Sequence, residues 1–273
     1  MMPKWNDIVR DYPFWVSALN KVMFISDLPA LRGPSIYIVS DYAGEQKDIN
    51  YLTYSFLFCD VKSSQTWFKE SKQLRLNFNL GKRKMGYKTL NDGIQKNALN
   101  DFLNKANSIE GILMSFAVNK NITQYIDDFG SMEKWKKIIE LKANWKAKEF
   151  ERMTRIVHFV SVLMAGLLKT GQNVYWISDQ DNIFANSKYD SDVGAIIGKI
   201  SGMYMKNLPG ELGLGTTKID NGEFIEEELA SISDLAAGAV AEIVTNYSKR
   251  PEWEKPNNLT YFMEGLKQKT QEI

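Results

Sequence analysis

Four aspartates stand at the ends of apolar runs or among small apolar residues, and carboxylates so placed can hold metal ions. Asp41 closes the run Ile36-Tyr37-Ile38-Val39-Ser40. Asp179, with Asp181 two residues on, closes Val174-Tyr175-Trp176-Ile177-Ser178. Asp234 sits inside Ser233-Asp234-Leu235-Ala236-Ala237-Gly238-Ala239. Hard cations such as Mg2+ and Mn2+ prefer oxygen ligands, few from protein and the rest from water or phosphate. Clustered carboxylates holding one or two such ions activate water and steady the leaving oxygen in phosphodiester cleavage. Each aspartate also has a plainer reading. Asp41 could begin a turn by accepting from nearby backbone amides, and Asp179 could open a polar loop. Asp234 is harder to explain that way, because a buried aspartate is costly unless something satisfies it. Ala237, Gly238 and Ala241, three, four and seven residues on, share its helical face. All are small, which predicts a face that comes close to a sheet.

Such side chains need strands to carry them. Ile36–Ser40 and Leu52–Cys59 read as two strands joined by the polar loop Asp41–Asn50, Gly111–Lys120 as a third, Asn173–Ser178 as a fourth and Leu212–Asp220 as a fifth strand-like segment. Helical periodicity covers residues 90–109, with Leu99, Phe102 and Leu103 at spacings of three and four. It continues over 131–168, 191–205 and 224–247, the last with acidic residues in its first turn that favour the macrodipole. The pattern predicts an N-terminal helical segment over 1–34, one α/β domain over 35–250 and a polar C-terminal tail over 251–273. In open α/β sheets ligands bind beyond the carboxyl ends of strands, which is where Asp41 and Asp179 fall; Asp234 would face them from its helix.

The order of strand–Asp, hairpin, long helical region, second strand–Asp and then Ile232–Val240 resembles the ribonuclease-H-like superfamily. More narrowly it is similar to a bacterial family of unknown function within it. That family opens with an Asp-Glu-Ser-Gly strand end, here Asp41-Tyr42-Ala43-Gly44. It closes with a helix reading Ala-Asp-Leu-hydrophobic-Ala-Gly-Ala, here Ser233-Asp234-Leu235-Ala236-Ala237-Gly238-Ala239. The likeness runs from about Ile36 to Tyr247. It implies a mixed central sheet flanked by helices, with helical insertions, and a divalent-metal, nuclease-like site on Asp41, Asp179, Asp181 and Asp234. Tyr42 stands where the family usually carries a second acid; Glu45 and Asp181 are the residues that could take its place.

Composition narrows the classes. The 273-residue chain is 44% apolar and carries 34 Lys and Arg against 33 Asp and Glu, so it is not a globally basic nucleic-acid binder, although a local basic patch is open to it. One cysteine, Cys59, rules out an internal disulfide framework and a cysteine-rich zinc site. His158, the single histidine, falls in an apolar helix and reads as a core residue; carboxylate–Mg2+ chemistry is then the natural metal option. Glu110, ahead of the third strand, reads as a solvated loop acid. The glycines of Gly210–Thr217 lack dinucleotide-binding spacing. Trp5, Asp7, Arg10 and Asp11 at the N-terminus do not form a signal peptide, and no run reaches the roughly 18 apolar residues of a spanning helix. The expectation is a cytoplasmic chain that does not enter a membrane.

Two basic stretches bear on partners. Lys82, Arg83, Lys84 and Lys88 lie in a glycine-marked loop, where they would neutralise phosphates or simply be solvated. Lys134, Lys136, Lys137, Lys142, Lys146 and Lys148 alternate with Trp135 and Trp145; at helical spacing the tryptophans read as core and the lysines as snorkelling into water. The leading functional expectation is therefore a Mg2+- or Mn2+-dependent nuclease acting on nucleic acid. The alternative is a catalytically inactive interaction subunit of a bacterial defence or mobile-element complex, with a protein partner or a second copy seated on Trp5, Tyr12, Phe14 and Trp15. A small-molecule hydrolase using the same carboxylates is a third.

Overall fold

The computed structural model describes residues 5–6, 8, 14–25, 28, 31–122, 132–178, 190–205 and 209–250. The chain forms two units, one of residues 1–28, 121–172 and 180–211, the other of residues 29–120, 173–179 and 212–273.

The first unit is helical among its described residues: α1 (Phe14–Ile25), α4 (Met132–Ile138), α5 (Ala147–Leu167) and α6 (Asp190–Tyr204). The chain over 131–168 is not one helix. It breaks between α4 and α5, where the Asp192 carboxylate accepts from the amides of Lys142 and Ala143 (both 2.9 Å) and from the Trp145 indole (3.0 Å). These bonds satisfy backbone donors that a continuous helix would have turned inward on itself. α5 is buried along most of its length, as its apolar second half requires. His158 is fully buried and shares a 2.8 Å hydrogen bond with the Tyr204 hydroxyl; burial pulls its pKa down to about 3. Trp135 and Trp145 are core residues too. So are Trp5 and Trp15, at 3% and 4% exposure, which corrects the expectation of an aromatic partner surface there. Tyr12 and the Phe14 side chain lie outside the described residues.

The second unit is a mixed five-stranded sheet in the order β3-β2-β1-β4-β5. Its strands are β1 (Ser35–Ala43), β2 (Tyr51–Asp60), β3 (Gly111–Asn119), β4 (Asn173–Ser178) and β5 (Leu212–Thr216). The first three form an antiparallel meander, and β4 and β5 run parallel to β1. Three helices accompany the sheet: α2 (Gln65–Asn77), α3 (Gly93–Ala106) and α7 (Ile225–Ser248). They bury Trp67, Leu74, Phe102, Leu229 and Ile232 against Val39, Leu57 and Cys59. Asp92 caps α3 by accepting from the amides of Ile94 and Gln95, the use to which an aspartate at that position is suited. Phe102 is buried and Leu103 largely exposed. Ser233 on α7 donates to the Val39 carbonyl at 2.8 Å, fixing the helix over β1. No helix among the described residues is long and apolar enough to cross a membrane.

One expectation about β1 is overturned. Asp41 neither ends the strand nor begins the turn: it pairs with Ser55 of β2, and the ladder continues through Tyr42 and Ala43. The Tyr42 ring meets Tyr54 at a tilt and Phe56 edge-on, and its hydroxyl bonds the Ser40 hydroxyl at 2.9 Å, contacts that favour two further residues of pairing. The turn starts at Gly44, whose φ of +94° suits glycine, and a Cβ there would strike the Tyr51 carbonyl. Among the described residues the parallel pairing of β1 with β4 runs to Ser40–Ser178, directly before Asp41.

Candidate metal and phosphate site

β1 delivers Asp41, half-buried, to a cavity of about 550 Å³. α7 delivers Asp234, likewise half-buried, to the same cavity. The two residues are far apart in the chain and meet because α7 lies over the end of β1. Asp179 and Asp181 lie outside the described residues; Ser178, which precedes Asp179, pairs with Ser40 of β1 and Thr216 of β5. Among the described residues three further carboxylates, Asp48, Glu227 and Glu242, line the cavity with two ammonium groups, Lys84 and Lys88. The surplus of negative charge suits a cation.

The 78–92 connection between α2 and α3 closes one side. Leu80 and Met85 anchor it in the core. Arg75, stacked on the Phe224 ring at 3.6 Å, donates to the carbonyls of Gly81 and Arg83 and pairs with the buried Glu228. From the other side the Gln95 amide donates to the Lys84 carbonyl and the Thr89 hydroxyl. Between these anchors the strap Lys84–Lys88, which enters a 3-10 turn at Tyr87–Thr89, touches α7 through three groups. Lys84 pairs with Glu227 at 2.5 Å. The Tyr87 amide donates to Asp234 Oδ2 at 3.0 Å, and the Tyr87 hydroxyl donates to Glu242. Burial and the Glu242 carboxylate push the Tyr87 phenol up to about 12, so it remains a donor. The Tyr87 ring lies against Gly238.

The small face of α7 is therefore used differently from the expectation. Gly238 receives a tyrosine from the strap, while the sheet is approached through Ser233 and the buried Ala237. Asp234 has a structural satisfier in the Tyr87 amide, and sequence alone gave no sign of it. Of the four basic loop residues, Lys84 and Lys88 reach the cavity; Lys82 is exposed and Arg83 pairs with Asp92 at 3.5 Å. Glu45 and Glu110 are exposed. Glu227 and Glu242 were missed, although Glu227 and Asp234 are seven residues apart, two turns along one helix face.

The donors suit a hard cation in type: the lining offers carboxylate, hydroxyl and carbonyl oxygens and neither cysteine nor histidine. Glu227 Oε2 is buried with no hydrogen-bond partner among the described residues. Among those residues no three acidic, histidine or cysteine side chains close into a metal cluster; Asp41 and Asp234 supply two oxygen-bearing groups to one cavity.

No family model matches the chain, and no curated protein is significantly similar to it. Among solved structures, ribonuclease H2 from Pyrococcus horikoshii OT3 is similar over 82% of each chain at 14% identity and a TM-score of 0.40. A chain of the PCNA:RNase HII complex from Archaeoglobus fulgidus is similar over 79% of this chain and 77% of its own, at 11% identity and a TM-score of 0.35. Likenesses this distant carry no argument about activity. The sheet itself defines the class: a three-stranded antiparallel meander extended by two parallel strands, with helices packed against it, is a ribonuclease-H-like α/β fold.

Proposed function

We propose that the cavity at the end of β1 is a divalent-cation site and that the protein is a metal-dependent phosphodiesterase acting on nucleic acid. The observation that carries this reading is the meeting of Asp41 and Asp234 in one cavity. Asp41, Asp234 and Asp179 would hold Mg2+ or Mn2+, with Asp181 beside them. The ion, when bound, supplies Lewis acidity toward a phosphodiester. The chain's own residues do the rest. Five carboxylates against two lysines repel a polyanion until a cation is present. Lys84 and Lys88 then meet phosphates at the cavity, and Lys82 and Arg83 extend that basic edge along exposed surface. Tyr42, where an acid would supply another ligand, instead packs on β2. The interaction-subunit alternative has lost its aromatic surface, since Trp5 and Trp15 are buried.

The test is titration calorimetry with MnCl2 on the wild-type chain and on Asp41→Asn and Asp234→Asn, followed by cleavage assays on labelled single- and double-stranded DNA and RNA. Saturable binding weakened at least about tenfold in both variants is expected, as is cleavage that depends on the ion. Wild-type affinity retained in both variants, or no binding at millimolar Mn2+, would sink the reading.

A further inference from the structure

The strap places a backbone amide on the carboxylate that the metal reading needs. Tyr87 N–H reaches Asp234 Oδ2 at 3.0 Å, its hydroxyl holds Glu242, and Lys84 two turns away holds Glu227 at 2.5 Å. These three contacts run along α7 as a clasp. The approach is possible because residue 86 is glycine: a Cβ there would lie 2.6 Å from Asp234 Oδ2, inside any tolerable contact. The strap as a whole is not free to swing, because Leu80 and Met85 sit in the core and Gln95 fixes Lys84 and Thr89. Within it, Gly86–Lys88 meets α7 through the Tyr87 amide, hydroxyl and ring; the ring also packs on the core and the Gly86 carbonyl accepts from Thr89, so a small shift of the Tyr87 amide is what the fold leaves open.

We infer that Tyr87 is a built-in occupant of the site: its amide and a divalent cation compete for Asp234 Oδ2, and the cation gains that oxygen as the amide lets go. This inference rests on the proposed metal site and adds its regulation. A carboxylate lone pair engaged by a donor must surrender that bond to coordinate an ion, and a hydrogen bond to a charged acceptor is among the stronger ones. The clasp therefore subtracts from cation affinity in the resting chain. Substrate phosphates relieve it further by competing with Glu227 for Lys84, so that ion and polyanion each make the other's binding easier.

Gly86→Ala tests the competition, since a methyl group there would push the strap and the Asp234 carboxylate apart without changing any charge. Calorimetry with MnCl2 on the full chain should show affinity raised about tenfold in Gly86→Ala and by a smaller factor in Tyr87→Phe, which removes only the Glu242 contact. Adding Asp234→Asn to Gly86→Ala should abolish the gain. Hydrogen exchange read at the Tyr87 amide should be slow in the metal-free wild type and at least tenfold faster with saturating Mn2+. Mn2+ binding of equal strength in wild type, Gly86→Ala and Tyr87→Phe, with Tyr87 protection unchanged by the ion, would overturn the competition and leave the metal site standing. No binding in any of the three would overturn both, and Asp234 would then be only the acceptor that seats the strap.

Discussion

The two ends of β1 treat carboxylates in opposite ways. At the start of the strand Asp60, paired with Ile36, is 1% exposed and accepts from three backbone amides: Gly33, Lys62 at 2.9 Å and Ser63 at 3.2 Å. At the far end Asp41 and Asp234 are half-buried and face a cavity with three other acids. Asp60 also closes an apolar run, Phe56-Leu57-Phe58-Cys59, and in sequence it has the same signature as Asp41. The difference is in the surroundings. Asp60 is ringed by amides, and its charge serves the turn it holds. Asp41 and Asp234 share a cavity with further acids, the place that the proposed function gives to a cation.

That contrast can be broken most forcefully at Asp60. Asp60→Ala strands three backbone donors, the Gly33 amide among them buried, and should cost about 3 kcal/mol of stability in urea denaturation, whereas Asp41→Ala should cost under about 1 kcal/mol. Similar losses at both positions would mean that the cavity acids are structural too. A smaller effect sharpens the comparison through pH. Glu228 is buried beside Arg75, and burial outweighs that guanidinium to raise its pKa from the ordinary 4.5 to about 7. The protonated form thus belongs to the fold, and the stability it contributes is complete below pH 4.5 and lost as pH rises through 7. Glu228→Gln should remove a decline on the order of 1 kcal/mol over that range, measured as melting temperature against pH; an unchanged profile would place the titration elsewhere. The smallest change is Tyr42→Phe, which deletes one hydroxyl contact to Ser40. It should cost about 0.5 kcal/mol and leave Mn2+ affinity as it was, because this tyrosine braces the strand and supplies no ligand.

Much of the architecture is legible because it follows from local patterns. Apolar runs with β-branched and aromatic residues mark β1 to β4, and Asp92 ahead of a three-and-four periodicity marks α3. The meeting of Asp41 with Asp234 also follows once Asp41 on β1 and the Asp234 face of α7 are assigned to one end of the sheet. What escapes is set by contacts between remote segments. The extension of β1 through Tyr42 and Ala43 depends on rings of β2. The break between α4 and α5 depends on Asp192, and the seating of the strap depends on Arg75 and Tyr87. None of these donors or acceptors announces its partner by spacing. Asp60 escaped for the opposite reason: an aspartate closing an apolar strand reads alike whether amides or a cation will meet it.

Cys59 carries a practical corollary. It is the chain's one cysteine, it is fully buried, and burial pushes its thiol up to about 12, so it presents no thiolate to solvent at neutral pH. A thiol introduced by Lys88→Cys, on the exposed side of the strap, would react alone with a maleimide dye. The native chain is thus already a clean background for a single optical reporter beside Tyr87, with no cysteine to remove first.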